Sequence, residues 1–220
     1  MNLWERKRAR RRTQVIEAAR DLVVEGGIEA ISMRKLAAAA EVSVATLYNQ
    51  FGAKEEIVEM AIEHVLGAIE PVIDPIPADE PFERARAIAT ASVDAVVADA
   101  GLYRPFIRAL VQTGEERDRD LGRVWSRGLA LTSQEVAAAM SIGELRDDVA
   151  PQLIAAQALR AFNSSMLAWA FGILDDAGFR EEVLRGLYVC LLAVATEQSR
   201  PRLLTELSTL GWVPAPEGVG

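Results

Sequence analysis

The chain has 220 residues, is 50% hydrophobic and 25% charged, and carries a formal net charge of −8. This is the composition of a soluble globular protein, with room for one large domain or a small domain joined to a larger one. The longest apolar runs fall short of the roughly 20 residues that span a bilayer, and the single cysteine, Cys190, excludes an intramolecular disulfide. Neither a membrane-spanning protein nor a disulfide-stabilised secreted one is expected.

The charge is distributed unevenly along the chain. Residues 1–54 contain ten Lys or Arg and six Asp or Glu, so they carry about +4 and leave about −12 for the remainder. The first dozen residues, MNLWERKRARRR, are basic like the start of a secretory signal, but the polar-faced TQVIEAARDL follows instead of an apolar run. Export is therefore not expected, and a cytoplasmic location is. The Arg-rich run at 6–12 is either a solubilising tail or an arm that follows a phosphate backbone or enters a minor groove.

Helical periodicity dominates, and no alternating run bounded by turn signals predicts a sheet, so the predicted fold class is all-α. A first helix is predicted from Thr13 to Glu25, where Gly26 and Gly27 end it. A second begins after Ser32, whose hydroxyl can cap MRKLAAAA, and leaves through the turn AEVS. A third, short helix, VATLYNQF, follows with Ser43 as its cap.

A fourth helix, KEEIVEMAIEHVLGAIE, has an apolar stripe that includes Val58, Ile62, Val65 and Ile69. The next stretch, PVIDPIPADEP, contains four prolines and is predicted to be a semi-rigid linker at a domain boundary. Further helices, punctuated by glycines and Pro201, are predicted beyond it. They run from Pro81 to Asp99, Leu102 to Thr113, Glu116 to Met140, Ala150 to Asp176, Phe179 to Glu197 and Pro201 to Leu210.

The N-terminal unit has the organisation of a helix-turn-helix. Two short helices joined by a three- or four-residue turn form the arrangement that places the second helix in the DNA major groove. Ala37, Val42, Leu47 and Phe51 are the predicted inward apolar set. Residues 43–50 otherwise form the outer surface of the third helix, with small side chains at its N-terminal end, where close approach to DNA matters.

Several side chains of this unit suit contacts with the DNA backbone. Thr46 and Tyr48 can donate hydrogen bonds to phosphate oxygens, and Lys54, at the start of the fourth helix, adds charge beside a helix N-terminus. Arg34, in the first turn of the second helix, is the other candidate for a backbone contact. Taken singly, Tyr48 is equally well a half-buried aromatic residue and Lys54 a solvated charge.

Contacts with base edges are predicted on the same helix. Asn49 or Gln50 could read adenine, and the methyl groups of Val44 and Ala45 could meet thymine. The complete set of predicted DNA-binding residues is Arg34, Ser43, Val44, Ala45, Thr46, Tyr48, Asn49 and Lys54.

The stretches TQVIEAARDLVVEGG, SMRKLA and VSVATLYNQFGAKE together resemble the DNA-binding domain of TetR-family transcriptional regulators. The resemblance covers roughly the first fifth of the chain densely. It implies that Thr46, Tyr48 and Lys54 contact phosphates and that residues 43–49 form the recognition helix with its cap. The chain departs from the family at Glu41 and Ala45, where glycine is common, so the family's base specificity is not carried over.

The resemblance also implies that the second domain encloses a small-molecule pocket and forms a homodimer through its last two long helices. Independently, LIAAQALRAFNSSMLAWAFGIL is dense in Ala and Ser, and GLYVCLLAVAT is apolar on nearly every side. Such helices need a cover, which either a four-helix dimer interface or the core of a monomer would supply.

The central helices also contain aromatic and apolar side chains suited to a concave site for an apolar ligand. Side chains with this spacing more often form a hydrophobic core, so that alternative stays open for each of them. The candidate ligand-binding residues are Tyr103, Phe106, Leu110, Trp125, Phe162, Asn163, Met166 and Trp169.

No catalytic residue, metal site or cofactor is predicted. His64, the only histidine, has no partners for a triad or a metal cluster, and no phosphate-cradling glycine loop is present. The sequence therefore predicts a ligand-responsive transcriptional regulator, a repressor that a small, largely apolar effector releases from a palindromic operator on double-stranded DNA. The alternative is an all-helical protein-interaction adaptor that retains the helix-turn-helix fold.

The predicted organisation divides the chain into five parts. They are a DNA-binding domain with a basic arm (1–54), a connecting helix (55–70), a Pro-rich linker (71–81), a ligand-binding and dimerisation domain (82–212) and a flexible tail (213–220).

Overall fold

The computed structural model describes residues 14–15, 17–18, 21–22, 32–51, 67, 69–112 and 117–211. Over these ranges the secondary structure is helical apart from an isolated bridge between Leu145 and Ala195, which confirms the predicted all-α fold. The helices with defined bounds are α1 (Met33–Ala39), α2 (Val44–Phe51), α3 (Glu70–Ile73), α4 (Pro81–Ala98), α5 (Ala100–Gln112), α6 (Arg117–Ser141), α7 (Pro151–Ala170), α8 (Asp176–Leu192) and α9 (Arg200–Thr209).

Hydrogen bonds to the side chains of two serines cap the N-termini of α1 and α2. Ser32 accepts a hydrogen bond from the backbone amide of Lys35 at 3.2 Å, and α1 begins at the next residue, Met33. Ser43 accepts one from the amide of Thr46 at 3.0 Å and starts α2. The described residues of the predicted first helix, 14–15, 17–18 and 21–22, are helical. The predicted fourth helix lies outside the described residues except at its C-terminal end.

The Pro-rich stretch differs from the predicted linker. A short helix, α3, forms at its start, because Pro71 lies in the first turn of α3, where its missing N–H has no partner to lose. Ile69 and Ile73 are buried against Ile88 and Ala91 of α4. The start of the Pro-rich stretch is therefore packed onto α4.

The prediction was wrong about the ends of the two longest C-terminal helices. α7 stops at Ala170, six residues before the predicted end, because Gly172 takes a left-handed conformation with φ 77°. The side chain of Asp175 then accepts a hydrogen bond from the amide of Gly178 at 2.7 Å and starts α8 at Asp176. α8 ends at Leu192, because the chain beyond it turns and bonds to the loop after α6, where the amide of Arg146 donates to the carbonyl of Val194.

The main core of the second domain lies where α4, α6, α7, α8 and α9 meet. Its buried residues are Phe82, Ala85, Val136, Ala139, Leu145, Ile154, Ala158, Leu187, Tyr188, Leu191, Val194, Leu203 and Leu207. α8 supplies Leu187, Tyr188 and Leu191, so much of the apolar surface of GLYVCLLAVAT is covered within one chain. Among the described helices, none combines the length and the apolar character needed to cross a membrane.

Candidate nucleic-acid interface and effector site

A compact apolar cluster holds α2 on its scaffold. Its buried residues are Val15, Ala18, Leu36, Ala37, Ala40 and Leu47, and Leu22, Met33 and Val42 pack at its edge. Among the side chains of α2 that the structure describes, Leu47 enters this cluster, so it helps to fix the rotation of α2 about its own axis. The inward positions predicted for Ala37, Val42 and Leu47 are confirmed, while the side chain of Phe51 lies outside the described part of the structure.

The turn between α1 and α2 is tight. The amide of Glu41 donates to the carbonyl of Ala38 at 3.2 Å, and the amide of Val42 donates to that of Ala37 at 2.9 Å. Glu41 has φ 55°, a left-handed conformation that costs an L-residue about 1 to 2 kcal/mol. The turn therefore requires a left-handed backbone conformation at Glu41, the position where glycine is common in the family that this unit resembles.

The N-terminal end of α2 presents a small, exposed surface. Ser43, Val44 and Ala45 are exposed, and Thr46 is half-buried. The hydroxyl groups of Ser43 and Thr46 are 2.7 Å apart and form a hydrogen bond to each other. A partner that approaches this end of α2 meets two linked hydroxyl groups and two aliphatic side chains.

The structure places half of the predicted DNA-binding residues on accessible surface. Arg34 is exposed on the first turn of α1, and Ser43, Val44 and Ala45 are exposed around the start of α2. The side chains of Tyr48 and Asn49 lie outside the described residues, as does the whole of Lys54. Their predicted contacts stay predictions.

A second apolar cluster joins α4, α5, α7 and α8 and contains four of the predicted ligand-binding residues. Tyr103 and Trp169 are buried in it, and Phe162 and Met166 pack against it. Asn163 is half-buried on the same helix as Phe162, and the side chains of Phe106, Leu110 and Trp125 lie outside the described residues.

Sequence reasoning missed the contributions of α4 and α8 to this second cluster. Both helices provide buried side chains to it, because they cross α5 and α7 at this level. Those side chains are Val93 and Val96 from α4 and Phe179 and Val183 from α8. Phe179 was predicted only as a helix start, since periodicity along one helix does not show what that helix faces.

Trp169 is fixed by contacts on several sides. Its ring stacks on that of Phe179 with centroids 5.4 Å apart, and its indole N–H donates to the carboxylate of Asp176 at 2.7 Å. The guanidinium of Arg104 lies over the indole, 4.6 Å from the centroid, and pairs with Asp176 at 3.1 Å. The ring of Trp169 is thus held in one orientation at the side of the second cluster, and its indole N–H already has a hydrogen-bond partner.

Tyr103 enters the same cluster from α5. Burial, reinforced by the negative charge of Asp99, raises the pKa of its phenol. Tyr103 therefore stays a neutral phenol at physiological pH. It adds no charge to this otherwise apolar region.

α7 and α8 approach each other closely and leave an apolar outer face. A Cβ atom on Gly186 would lie 2.5 Å from the Cβ atom of Ala161, so the two helices touch at a point where only glycine fits. On the outside, Leu153, Leu167 and Phe171 of α7 and its C-cap, together with Val189 of α8, are exposed large apolar side chains.

Comparison with known proteins identifies the N-terminal unit. Residues 15–61 match the model of a family described as bacterial regulatory proteins, tetR family. This range includes the first cluster, α1, the left-handed turn and α2. A curated relative, the HTH-type transcriptional repressor KstR of Rhodococcus jostii (strain RHA1), is 28% identical over 160 residues, or 72% of this chain and 72% of that protein.

Solved structures extend the similarity to the whole fold. FadR from Bacillus subtilis, in complex with stearoyl-CoA, matches with a TM-score of 0.67 at 17% identity and covers 83% of this chain and 98% of its own. FadR from Thermus thermophilus, in complex with lauroyl-CoA, matches with a TM-score of 0.65 at 20% identity and covers 94% and 100%. At these identities the likeness shows a shared fold.

Proposed function

We propose that this chain, a transcriptional regulator of the TetR family, is a repressor that a small, largely apolar effector releases from a palindromic operator. The observation that carries the DNA-binding part is the geometry of α2. Leu47 is fully buried beneath α2, while Ser43, Val44 and Ala45 are exposed at its N-terminal end. A recognition helix needs this combination, because its N-terminal residues must reach base edges while the opposite face holds its orientation.

The proposed contacts divide into positioning and reading groups. Thr46, Tyr48 and Lys54 contact phosphates, as the family resemblance implies, and Arg34 on the first turn of α1 adds a fourth backbone contact; together they fix the register of the protein on the duplex. Val44, Ala45 and Asn49 face the bases, and Ser43 caps the helix that carries them. Because Val44 and Ala45 offer only methyl groups, much of the readout at their positions is contact with thymine.

The proposed effector binds among α4, α5, α7 and α8. The second cluster supports this proposal, because Tyr103, Phe162 and Met166 line an apolar region that several helices share. Phe106, Leu110, Trp125, Asn163 and Trp169 complete the proposed site. The two FadR structures hold stearoyl-CoA and lauroyl-CoA, and long acyl thioesters are accordingly the first effector class to test.

The proposed dimer uses the outer faces of α7 and α8. The large exposed apolar side chains Leu153, Leu167 and Phe171 along α7 and its C-cap, with Val189 on the adjacent α8, support this interface, although exposed polar residues of α7 lie between them. A two-fold dimer places two copies of α2 in successive major grooves, ~34 Å apart. An effector that prefers the DNA-incompetent state by about 1 to 3 kcal/mol lowers operator affinity about 5- to 150-fold.

Fluorescence anisotropy with DNA from upstream of the chain's own gene tests the proposal. We expect salt-sensitive, sequence-dependent binding, and we expect lauroyl-CoA or stearoyl-CoA to weaken it. A chain that binds no fragment at low salt contradicts the regulator and favours the protein-interaction adaptor. Binding that neither thioester alters contradicts the acyl-thioester effector, and a thermal-shift screen of other apolar metabolites then identifies the effector class.

A further inference from the structure

One arginine of the second domain joins three separate segments. The Nε atom of Arg84, on α4, donates to both carboxylate oxygens of Glu135, on α6, each at 3.1 Å. Its Nη1 atom donates to the backbone carbonyls of Ile73 and Ile76, at 3.1 and 3.0 Å. The side chain of Glu135 is 4% exposed and that of Arg84 16%, so these bonds form largely away from water.

The carbonyls that Arg84 binds belong to residues 69–76, which we call the exit segment. Ile69 and Ile73 of this segment are buried against α4, and Ile76 packs at the edge of the same cluster with Leu131 of α6. Apolar burial alone would let the segment slide or rotate on α4, since it is not directional. Hydrogen bonds from a planar guanidinium to two carbonyls of the segment hold it in one orientation on α4.

The two helices that hold the exit segment, α4 and α6, are also connected to the proposed effector site. α4 carries Val93 and Val96 of the second cluster about three turns beyond Arg84. α6 packs against both α4 and α7, the helix that supplies Phe162 and Met166. A ligand that moves α4 relative to α6 must change the separation of Arg84 and Glu135.

We infer that Arg84, held by Glu135, is a positioning residue for DNA binding, because it sets the direction in which the exit segment leaves the second domain. Seven residues, 62–68, separate the exit segment from the range 15–61 that matches the DNA-binding family, so the direction of the segment limits where that unit can lie. The inference rests on the proposed function. Movement of α4 against α6 then alters operator affinity through the Arg84–Glu135 pair.

A purely structural ion pair is the competing explanation, and the chain offers a matched control. Arg86, on the same helix, pairs with Glu83 at 2.8 Å, and both side chains are partly exposed. No described hydrogen bond joins Arg86 to the exit segment. Replacing Arg86 removes an arginine from α4 without affecting residues 69–76.

The central variant is the double substitution Arg84→Met and Glu135→Leu. Replacing both partners with apolar side chains leaves no unpaired buried charge, and such replacements commonly preserve folding. The variant retains the apolar packing of Ile69 and Ile73 but loses both hydrogen bonds to the carbonyls. Arg86→Met is the control, and Arg84→Lys tests whether charge alone is sufficient, because lysine lacks the planar fork.

Two measurements on the 220-residue protein distinguish the explanations. Hydrogen exchange of the exit-segment amides reports whether the segment is released. The dissociation constant for the upstream fragment that the wild type binds reports whether DNA binding depends on it. For the double variant we expect faster hydrogen exchange in residues 69–76. We also expect about tenfold weaker DNA binding, since a smaller fraction of molecules is in the binding-competent conformation. We expect Arg84→Lys to lie between the double variant and the wild type, and Arg86→Met to behave as the wild type does.

The salt dependence of binding identifies the cause. Because Arg84 touches no phosphate, the slope of affinity against salt in the double variant should equal that of the wild type. Unchanged exchange, or faster exchange with unchanged operator affinity, overturns the inference. A wild-type chain that binds no fragment overturns both the proposed function and this inference. That failure is distinguishable from failure of the inference alone, because it is seen with the wild type before any variant is measured.

Discussion

At the scale of single residues, the turn before α2 carries a conformational cost. Glu41 has φ 55°, and a side chain in this region is strained because its Cβ atom approaches the following carbonyl oxygen. Glycine has no such penalty but loses more conformational entropy on folding. The strain of about 1 to 2 kcal/mol exceeds the entropy cost of about 0.5 to 1 kcal/mol, so glycine should be the better residue here.

We therefore expect Glu41→Gly to raise the free energy of unfolding by about 0.5 to 1 kcal/mol, measured by urea denaturation. Glu41→Gln is the control, because it removes the charge and keeps the Cβ atom. If Glu41→Gln stabilises the protein as much as Glu41→Gly does, the charge of Glu41 and not its backbone conformation is the source of the cost.

Lys54 and Tyr48 test the phosphate contacts of the same unit. We expect Lys54→Ala and Tyr48→Ala to weaken binding to all duplexes, and Lys54→Ala to flatten the salt dependence, because fewer counterions are released on binding. A salt titration of the dissociation constant measures both effects. Lys54→Arg, which keeps the charge, should retain the slope, and an unchanged affinity for Lys54→Ala would exclude its phosphate role.

At the scale of elements, the contact between α7 and α8 determines how the C-terminal helices are arranged. Gly186 faces Ala161 so closely that an added Cβ atom would lie 2.5 Å from its neighbour. Gly128, on α6, is different, because an added Cβ atom there would meet a side-chain carbon of Leu159 at 3.5 Å, an ordinary contact. The two glycines form a matched pair within helices.

Gly186→Ala should lower the free energy of unfolding by about 1 to 3 kcal/mol, because the two helices must separate to admit the methyl group. Gly128→Ala should be neutral or stabilising, since alanine favours a helix over glycine by about 1 kcal/mol. Thermal or urea unfolding measures both changes. Partial recovery in Gly186→Ala with Ala161→Gly is also expected, and two equally small effects would show that the helices accommodate the methyl group.

At the scale of the whole molecule, the outer face of α7 and α8 carries large exposed apolar side chains. Leu153, Gln157, Arg160, Ser164 and Leu167 follow one another at helical spacing along the exposed side of α7. Val189 is exposed on the neighbouring helix. The proposed homodimer through this face would cover these side chains and supply the two-fold symmetry that the proposed palindromic operator requires.

Leu167→Glu and Val189→Glu should convert the dimer into a monomer, because each places a charge in the proposed interface. Light scattering coupled to size-exclusion chromatography measures the mass. Ile142→Glu is the control, since Ile142 is 49% exposed, close to the 50% of Val189, but lies just after α6. Variants that remain dimeric would place the interface elsewhere, and monomers that still bind the operator at full affinity would contradict the paired arrangement.

Local interactions made the N-terminal unit predictable. The caps at Ser32 and Ser43, the bounds of α2 and the inward positions of Ala37 and Leu47 all depend on contacts within a few residues or on one helical repeat. The family motif concentrates there for the same reason, because a short helix-turn-helix is defined by closely spaced residues. The sequence by itself determined an all-α fold with a helix-turn-helix at its start.

Only the tertiary structure decided which distant residues meet. Tyr103, Trp169 and Phe179 share a cluster with Val93 because four helices meet there. Arg84 reaches Glu135 and the carbonyls of residues 73 and 76 because α4 packs against both α6 and the exit segment. The early end of α7 likewise follows from the left-handed Gly172 and the cap at Asp175. Periodicity records which side of a helix is apolar, but the partner of that side depends on how helices cross, and the crossing is set by packing over the whole domain.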